Sequence, residues 1–152
     1  MFPKITLELI WWLVTAIIVC AVMYPIWKGV QDYPFWFENV LSIVLLITFT
    51  RYIFLLKHTF LAHIEWIKVV LVLLSPMIVF YLVAQVNRFL TQLDEQGVDF
   101  ITKGVREAQI TSMGQYIRSE YLFFAVGTAI AGIAFTYRMI VSIWRKRNLG
   151  TV

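Results

Sequence analysis

Cysteine is almost absent from this sequence, in which Cys20 is the only one among 152 residues. A single cysteine cannot form an internal disulfide, a two-cysteine redox motif or a thiolate cage for a metal. The sequence therefore excludes membrane oxidoreductases that pass electrons through cysteine pairs to a quinone. Because Cys20 stands within an apolar run, we interpret it as a small buried hydrophobic residue.

Charged residues are also scarce, at 14% of the chain, whereas 61% of the residues are hydrophobic. A soluble domain has about 45–50% apolar and 25% charged residues. The excess is too large for a surface that faces water, so the composition predicts an integral membrane protein with the lipid bilayer as its first partner. The basic triplet 145–147 follows an apolar run directly, and we interpret it as a topology signal that meets anionic lipid, not nucleic acid.

Four apolar runs are long enough to cross a hydrocarbon core of about 30 Å, which takes about 20 helical residues. The predicted fold is all-α, a single domain of residues 1–152 with four transmembrane helices in an antiparallel bundle. The four predicted helices cover residues 5–27, 39–60, 66–90 and 121–144.

The polar segment 91–118 is the longest stretch between two apolar runs. Within it Val98, Ile101, Val105 and Ala108 recur at spacings of three and four residues. This spacing is typical of an amphipathic helix. We therefore expect a short amphipathic helix in this loop, lying at the membrane interface or against a partner.

The distribution of basic residues predicts the orientation of the chain in the membrane. Four crossings place both termini on one side, together with Lys57, Lys68 and the triplet 145–147. Cytoplasmic loops carry an excess of lysine and arginine. We expect a bacterial inner-membrane protein with cytoplasmic termini.

Ionisable residues inside the apolar runs predict a polar pocket near the cytoplasmic boundary. Arg51 is the most conspicuous, because it lies about 18 Å along its helix from Asn39, at 1.5 Å per residue. Intramembrane ionisable residues are functional candidates by default. The sequence leaves open whether Arg51 is paired inside the bundle or extends its charged group to the headgroups. The candidate pocket or partner-contact residues are Glu8, Arg51, His58, Glu65 and Arg138.

Within this group, Glu8 and Arg138 fall at similar depths, so we expect them to form an ion pair unless Arg138 extends to the headgroups. His58 and His63 stand on one connection at the water boundary, which does not favour a bis-histidine haem or a zinc site. We predict no metal, no cofactor and no catalytic residue.

The fourth apolar run carries small residues at four-residue spacing, which let another helix approach closely. The sequence does not decide whether that helix belongs to the same chain or to another copy. The predicted packing residues are Gly127, Thr128, Ala131, Gly132 and Thr136.

These features favour a non-catalytic accessory or scaffold subunit of a larger inner-membrane complex, of the transport or energy-transducing kind, or a homo-oligomer. Its partners would be other membrane subunits or copies of itself. The first alternative is a small transporter or channel with its polar pocket around Arg51. The second is a membrane enzyme that acts on lipid or quinone.

Overall fold

The computed structural model describes residues 4–150, and within that range every side chain except those of Lys4, Phe60 and His63. The described residues form an all-α fold with four long helices, as the sequence predicts. Each helix is long and apolar enough to cross a membrane, which supports an integral membrane protein. The helices are α1 (Lys4–Gly29), α2 (Trp36–Leu55), α3 (Glu65–Gln96) and α4 (Ile110–Leu149).

The chain reverses direction three times, so the four helices run antiparallel. Residues 30–35 join α1 to α2, and Asp32 has a positive φ of 53° there. Two short 3₁₀ turns, Leu56–His58 and Phe60–His63, join α2 to α3. We call the end of the bundle that contains these two turns the terminal end, and the opposite end, with residues 30–35 and 97–109, the loop end.

The connection from α3 to α4 differs from the predicted amphipathic helix. Helix α3 continues to Gln96, and α4 already begins at Ile110. Only two 3₁₀ turns, Val98–Phe100 and Glu107–Gln109, lie between them. Gly97 ends α3 because its φ of 74° suits glycine, and its N–H donates to the carbonyl oxygen of Leu93. Of the apolar residues whose spacing predicted a helix, Ile101 is buried against the bundle, whereas Val98 and Ala108 are exposed.

Helix α4 is the centre of the bundle, because it packs along both α2 and α3, which have little contact with each other. Helix α1 lies at the edge, and only a small part of its apolar span is buried. Cys20, which we expected to be buried, is exposed on this edge helix. The expectation was wrong because α1 has neighbours on one narrow face only.

Two groups of buried apolar residues form the core. At the loop end, Phe35 packs edge-on against Phe89, and Phe89 stacks on Tyr121 with ring centroids 4.3 Å apart. Toward the terminal end, Phe49 stacks on Phe135 at 4.8 Å. Both groups join α4 to its neighbours, so the central helix holds the bundle together.

Candidate functional site

Arg51 lies at the contact of α1 with α2, where it forms an ion pair with Glu8. Their side chains are only 5% and 14% exposed. The Arg51 guanidinium also lies over the rings of Trp11 and Tyr52, at 5.8 and 5.3 Å from their centroids. Paired charge and aromatic faces reduce the free-energy cost of holding a cation in an apolar setting. Arg51 is therefore paired with Glu8 at a largely buried contact between α1 and α2.

The ion pair that we expected between Glu8 and Arg138 is not the one in the structure. Arg138 donates from Nε to the carbonyl oxygen of Ile53, at 3.2 Å, and so connects α4 to α2. Similar depth along the helices predicted the pair of Glu8 with Arg138, but depth does not determine which helix faces are in contact. Glu8 faces α2, so Arg51 is its partner.

The other two candidates at the terminal end lie elsewhere. Glu65 forms ion pairs with Lys146 and Arg147, at 3.3 and 3.8 Å, and joins the start of α3 to the end of α4. His58 is exposed, and the side chain of His63 lies outside the described residues. The structure thus brings Glu8 to Arg51 but does not gather the five candidates into one pocket.

Lys68 is a buried charged residue of the terminal end that the sequence analysis did not select. Its side chain is fully buried, and Nζ donates to the carbonyl oxygen of Ala62 at 2.7 Å and to Oγ of Ser142 at 2.9 Å. Lys68 therefore fastens the α2–α3 connection to α4. Its position three residues after Glu65, at the start of an apolar run, was the available signal, but that signal also fits a basic residue that determines topology.

The small residues of α4 face α2 and α3 of the same chain. A Cβ atom on Gly132 would lie 2.5 Å from Cγ2 of Val79 and 3.3 Å from Cε2 of Phe49, so α4 approaches both neighbours closely there. Gly127 leaves more room, since its nearest atom, Cδ2 of Leu46, would be 3.4 Å away. Ala131 is partly buried against the terminal-end core.

Hydroxyl groups on this face of α4 make hydrogen bonds between helices. Thr128 donates to the carbonyl oxygen of Ser42 on α2 at 2.7 Å, and Thr136 and Ser75 on α3 share a hydrogen bond of 2.6 Å. Helix–helix hydrogen bonds of this kind add to close packing in membranes. The stripe is therefore an internal packing surface of this chain.

A second polar centre lies at the loop end, and none of its residues is among the sequence-predicted site residues. The amide Nδ2 of Asn39 donates to Oε2 of Glu120 at 2.7 Å, and this hydrogen bond joins α2 to α4. The hydroxyl of Tyr33 is buried beside them, and burial raises the pKa of Tyr33, so the hydroxyl keeps its proton. Glu120 lay just outside the predicted helix 121–144. Its position could have indicated burial, because Glu120 lies on the same helix face as Thr128, Gly132 and Thr136, at multiples of four residues.

Among the described residues, no group of three or more His, Cys, Asp and Glu side chains is arranged to hold a metal ion. The comparisons with family models, curated proteins and solved structures find no match to this chain.

Proposed function

We propose that this protein is a non-catalytic integral membrane subunit that works by packing against other membrane proteins or against copies of itself. The main support for the proposal is the set of contacts that the charged side chains make at the terminal end. Arg51, Arg138 and Glu65 each connect two different helices instead of facing a common cavity. Such contacts hold helices in a fixed arrangement, which is what a scaffold or accessory subunit requires.

The position of α1 supports the same proposal. This helix lies at the edge of the bundle, and most of its apolar span faces outward. Because lipid tails are as apolar as these side chains, packing shape and polar contacts decide whether helices associate in a membrane. An edge helix held by a buried ion pair can present a fixed surface to a neighbouring subunit.

The alternative of a transporter with a pocket around Arg51 requires its polar side chains to converge on one space. In the structure their partners lie at three separate helix contacts, α1–α2, α4–α2 and α3–α4. The geometry therefore favours the subunit.

The basic residues support a proposed orientation with the terminal end in the cytoplasm of a bacterial inner membrane. Lys57, Arg145 and Arg147 are exposed at that end. In a Cys20→Ala background, we expect Lys103→Cys to react with a membrane-impermeant maleimide added to intact cells, and Lys57→Cys to react only after the cells are opened. Labelling of Lys57→Cys in intact cells would contradict this orientation.

Native mass spectrometry of the chain, extracted from its own membrane in lipid nanodiscs, tests the proposed function. We expect a mass above that of the 17.8 kDa chain, from extra copies or from other membrane proteins. The Arg51→Leu variant should lose the bound subunits and give the mass of the single chain. The matched Glu65→Gln variant, which alters partly exposed pairs, should keep the higher mass. A wild-type chain that stays at 17.8 kDa in nanodiscs would overturn the proposal.

A further inference from the structure

Three polar side chains, which we call the loop-end centre, are buried where residues 30–35, α2 and α4 meet. They are Tyr33, Asn39 and Glu120, and their exposed fractions are 8%, 0% and 8%. The surroundings are mostly apolar and aromatic, with Phe35, Phe89 and Tyr121 packed in the neighbouring core. A carboxyl group in such a place requires partners for both of its oxygens, because burying an unpaired polar group is unfavourable.

The hydrogen bonds of the loop-end centre are incomplete. Asn39 donates from Nδ2 to Oε2 of Glu120. Two buried oxygens have no hydrogen-bond partner among the described residues, namely Oε1 of Glu120 and Oδ1 of Asn39. The hydroxyl of Tyr33 lies close to the Asn39 side chain. The two orphan oxygens of the Glu120–Asn39 pair are both acceptors when the carboxyl group is ionised. The protonated hydroxyl of Tyr33 has a single O–H and can donate to at most one of these two oxygens, so at least one acceptor of the pair still lacks a donor.

No basic side chain in the described part of the chain forms an ion pair with Glu120. Arg88 of α3 is exposed and lies over the ring of Phe35, at 5.8 Å from its centroid. On α4 the neighbouring titratable groups are Tyr116, whose hydroxyl donates to the carbonyl oxygen of Val22 on α1, and Tyr121. On α2, Glu38 precedes Asn39 in the sequence, and its charge has the same sign as that of an ionised Glu120. Apart from the N–H of Asn39, none of these described groups stabilises a buried negative charge on Glu120.

We propose that Glu120 is a proton-binding site, and that its neutral carboxyl group forms a two-point pair with the amide of Asn39. In this pair Nδ2 of Asn39 donates to Oε2 of Glu120, as observed, and a proton on Oε1 of Glu120 is donated to Oδ1 of Asn39. One bound proton thereby turns Oε1 of Glu120 into a donor, gives Oδ1 of Asn39 a hydrogen bond, and removes the buried charge. Because the pair joins α2 to α4, loss of the proton would weaken that contact.

Infrared spectroscopy of the full-length protein in lipid nanodiscs tests this proposal directly. A protonated carboxyl group has a carbonyl stretching band that is separate from that of a carboxylate and moves to lower frequency in D₂O. We expect such a band in the wild-type protein at neutral pH. It should be lost in Glu120→Gln and kept in the matched control Glu95→Gln, which changes an exposed glutamate near the end of α3. Absence of the band from the wild type, or its survival in Glu120→Gln, would overturn the proposal.

The Asn39→Leu variant is a second test of the pair, and it does not require that Glu120→Gln folds. It keeps the carboxyl group and removes its partner, so the band should remain and move to the frequency of a weakly hydrogen-bonded acid. An unchanged band would contradict the pair with Asn39.

A pH series of thermal unfolding distinguishes a bound proton from a bound monovalent cation. Deprotonation leaves a charge in the folded protein, so the wild type should lose stability as the pH rises, and Glu120→Gln should lose less. The wild-type profile should be the same in sodium chloride and in choline chloride at equal ionic strength. Stabilisation by sodium but not by choline, with no dependence on pH, would instead indicate a cation on these oxygens and would overturn the proton.

Discussion

The two ends of the bundle differ in whether a buried charge has a counter-charge. At the terminal end, Arg51 has an acid as partner and Lys68 has two acceptors. At the loop end, Glu120 has one neutral donor, and its second oxygen has no partner among the described residues. Burial alone therefore does not identify a functional residue. Oε1 of Glu8 and Nε of Arg51 also have no hydrogen-bond partner, but each of these two groups has an opposite charge beside it. Glu120 has no counter-charge among the described residues, so only its carboxyl group has a reason to bind a proton.

Removing one member of the ion pair should break the terminal end most severely. Arg51→Leu leaves Glu8 in a largely buried place without a counter-charge, and breaking a buried pair costs about 3–5 kcal/mol. We expect a loss of this order in the free energy of unfolding, measured by denaturation in mixed micelles. Arg51→Lys keeps the charge but loses the planar fork of donors, so its loss should be smaller.

The double variant Glu8→Leu with Arg51→Leu is the control for this prediction. It removes both charges and should recover much of the stability that Arg51→Leu loses, because no buried charge remains unpaired. Equal stability of Arg51→Leu and the wild type would show that the terminal end does not depend on this pair.

A change in the middle of α4 should weaken the contact between α3 and α4. Gly132→Ala places a methyl group 2.5 Å from Cγ2 of Val79, and overpacking of this kind costs about 1–3 kcal/mol. The matched Gly127→Ala change meets only an ordinary contact at 3.4 Å. It should be neutral or slightly stabilising, since alanine favours a helix over glycine by about 1 kcal/mol. The midpoint of thermal unfolding in detergent measures both, and a tolerated Gly132→Ala would contradict the close approach of α3 and α4.

The smallest effect is expected at the partly exposed ion pairs of the terminal end. Glu65→Gln removes the pairs with Lys146 and Arg147, in which the Glu65 side chain is 36% exposed. Such pairs contribute about 0–1 kcal/mol. The unfolding midpoint should change little and become less sensitive to salt. A loss of stability as large as that of Arg51→Leu would show that the exposure of an ion pair does not determine its contribution to stability.

The amino-acid sequence by itself determined the class of the protein and the number of its helices. Long apolar runs separated by polar segments with Gly97 and Pro34 predict transmembrane helices, because a helix satisfies its backbone hydrogen bonds within one segment, as lipid requires. The sequence also marked Arg51 and Gly132, since a charge or a small-residue stripe inside an apolar run is visible from neighbouring residues alone.

Only the tertiary structure decided which residues meet. Helix α4 begins at Ile110, and this early start places Glu120 inside the bundle, where Asn39 of α2 reaches it. Likewise, Glu8 contacts Arg51 and not Arg138 because α1 packs mainly on α2. Position along a helix follows from counting residues, but the partner of a side chain depends on the rotation of two helices about their axes. Packing between helices that are distant in the sequence fixes that rotation.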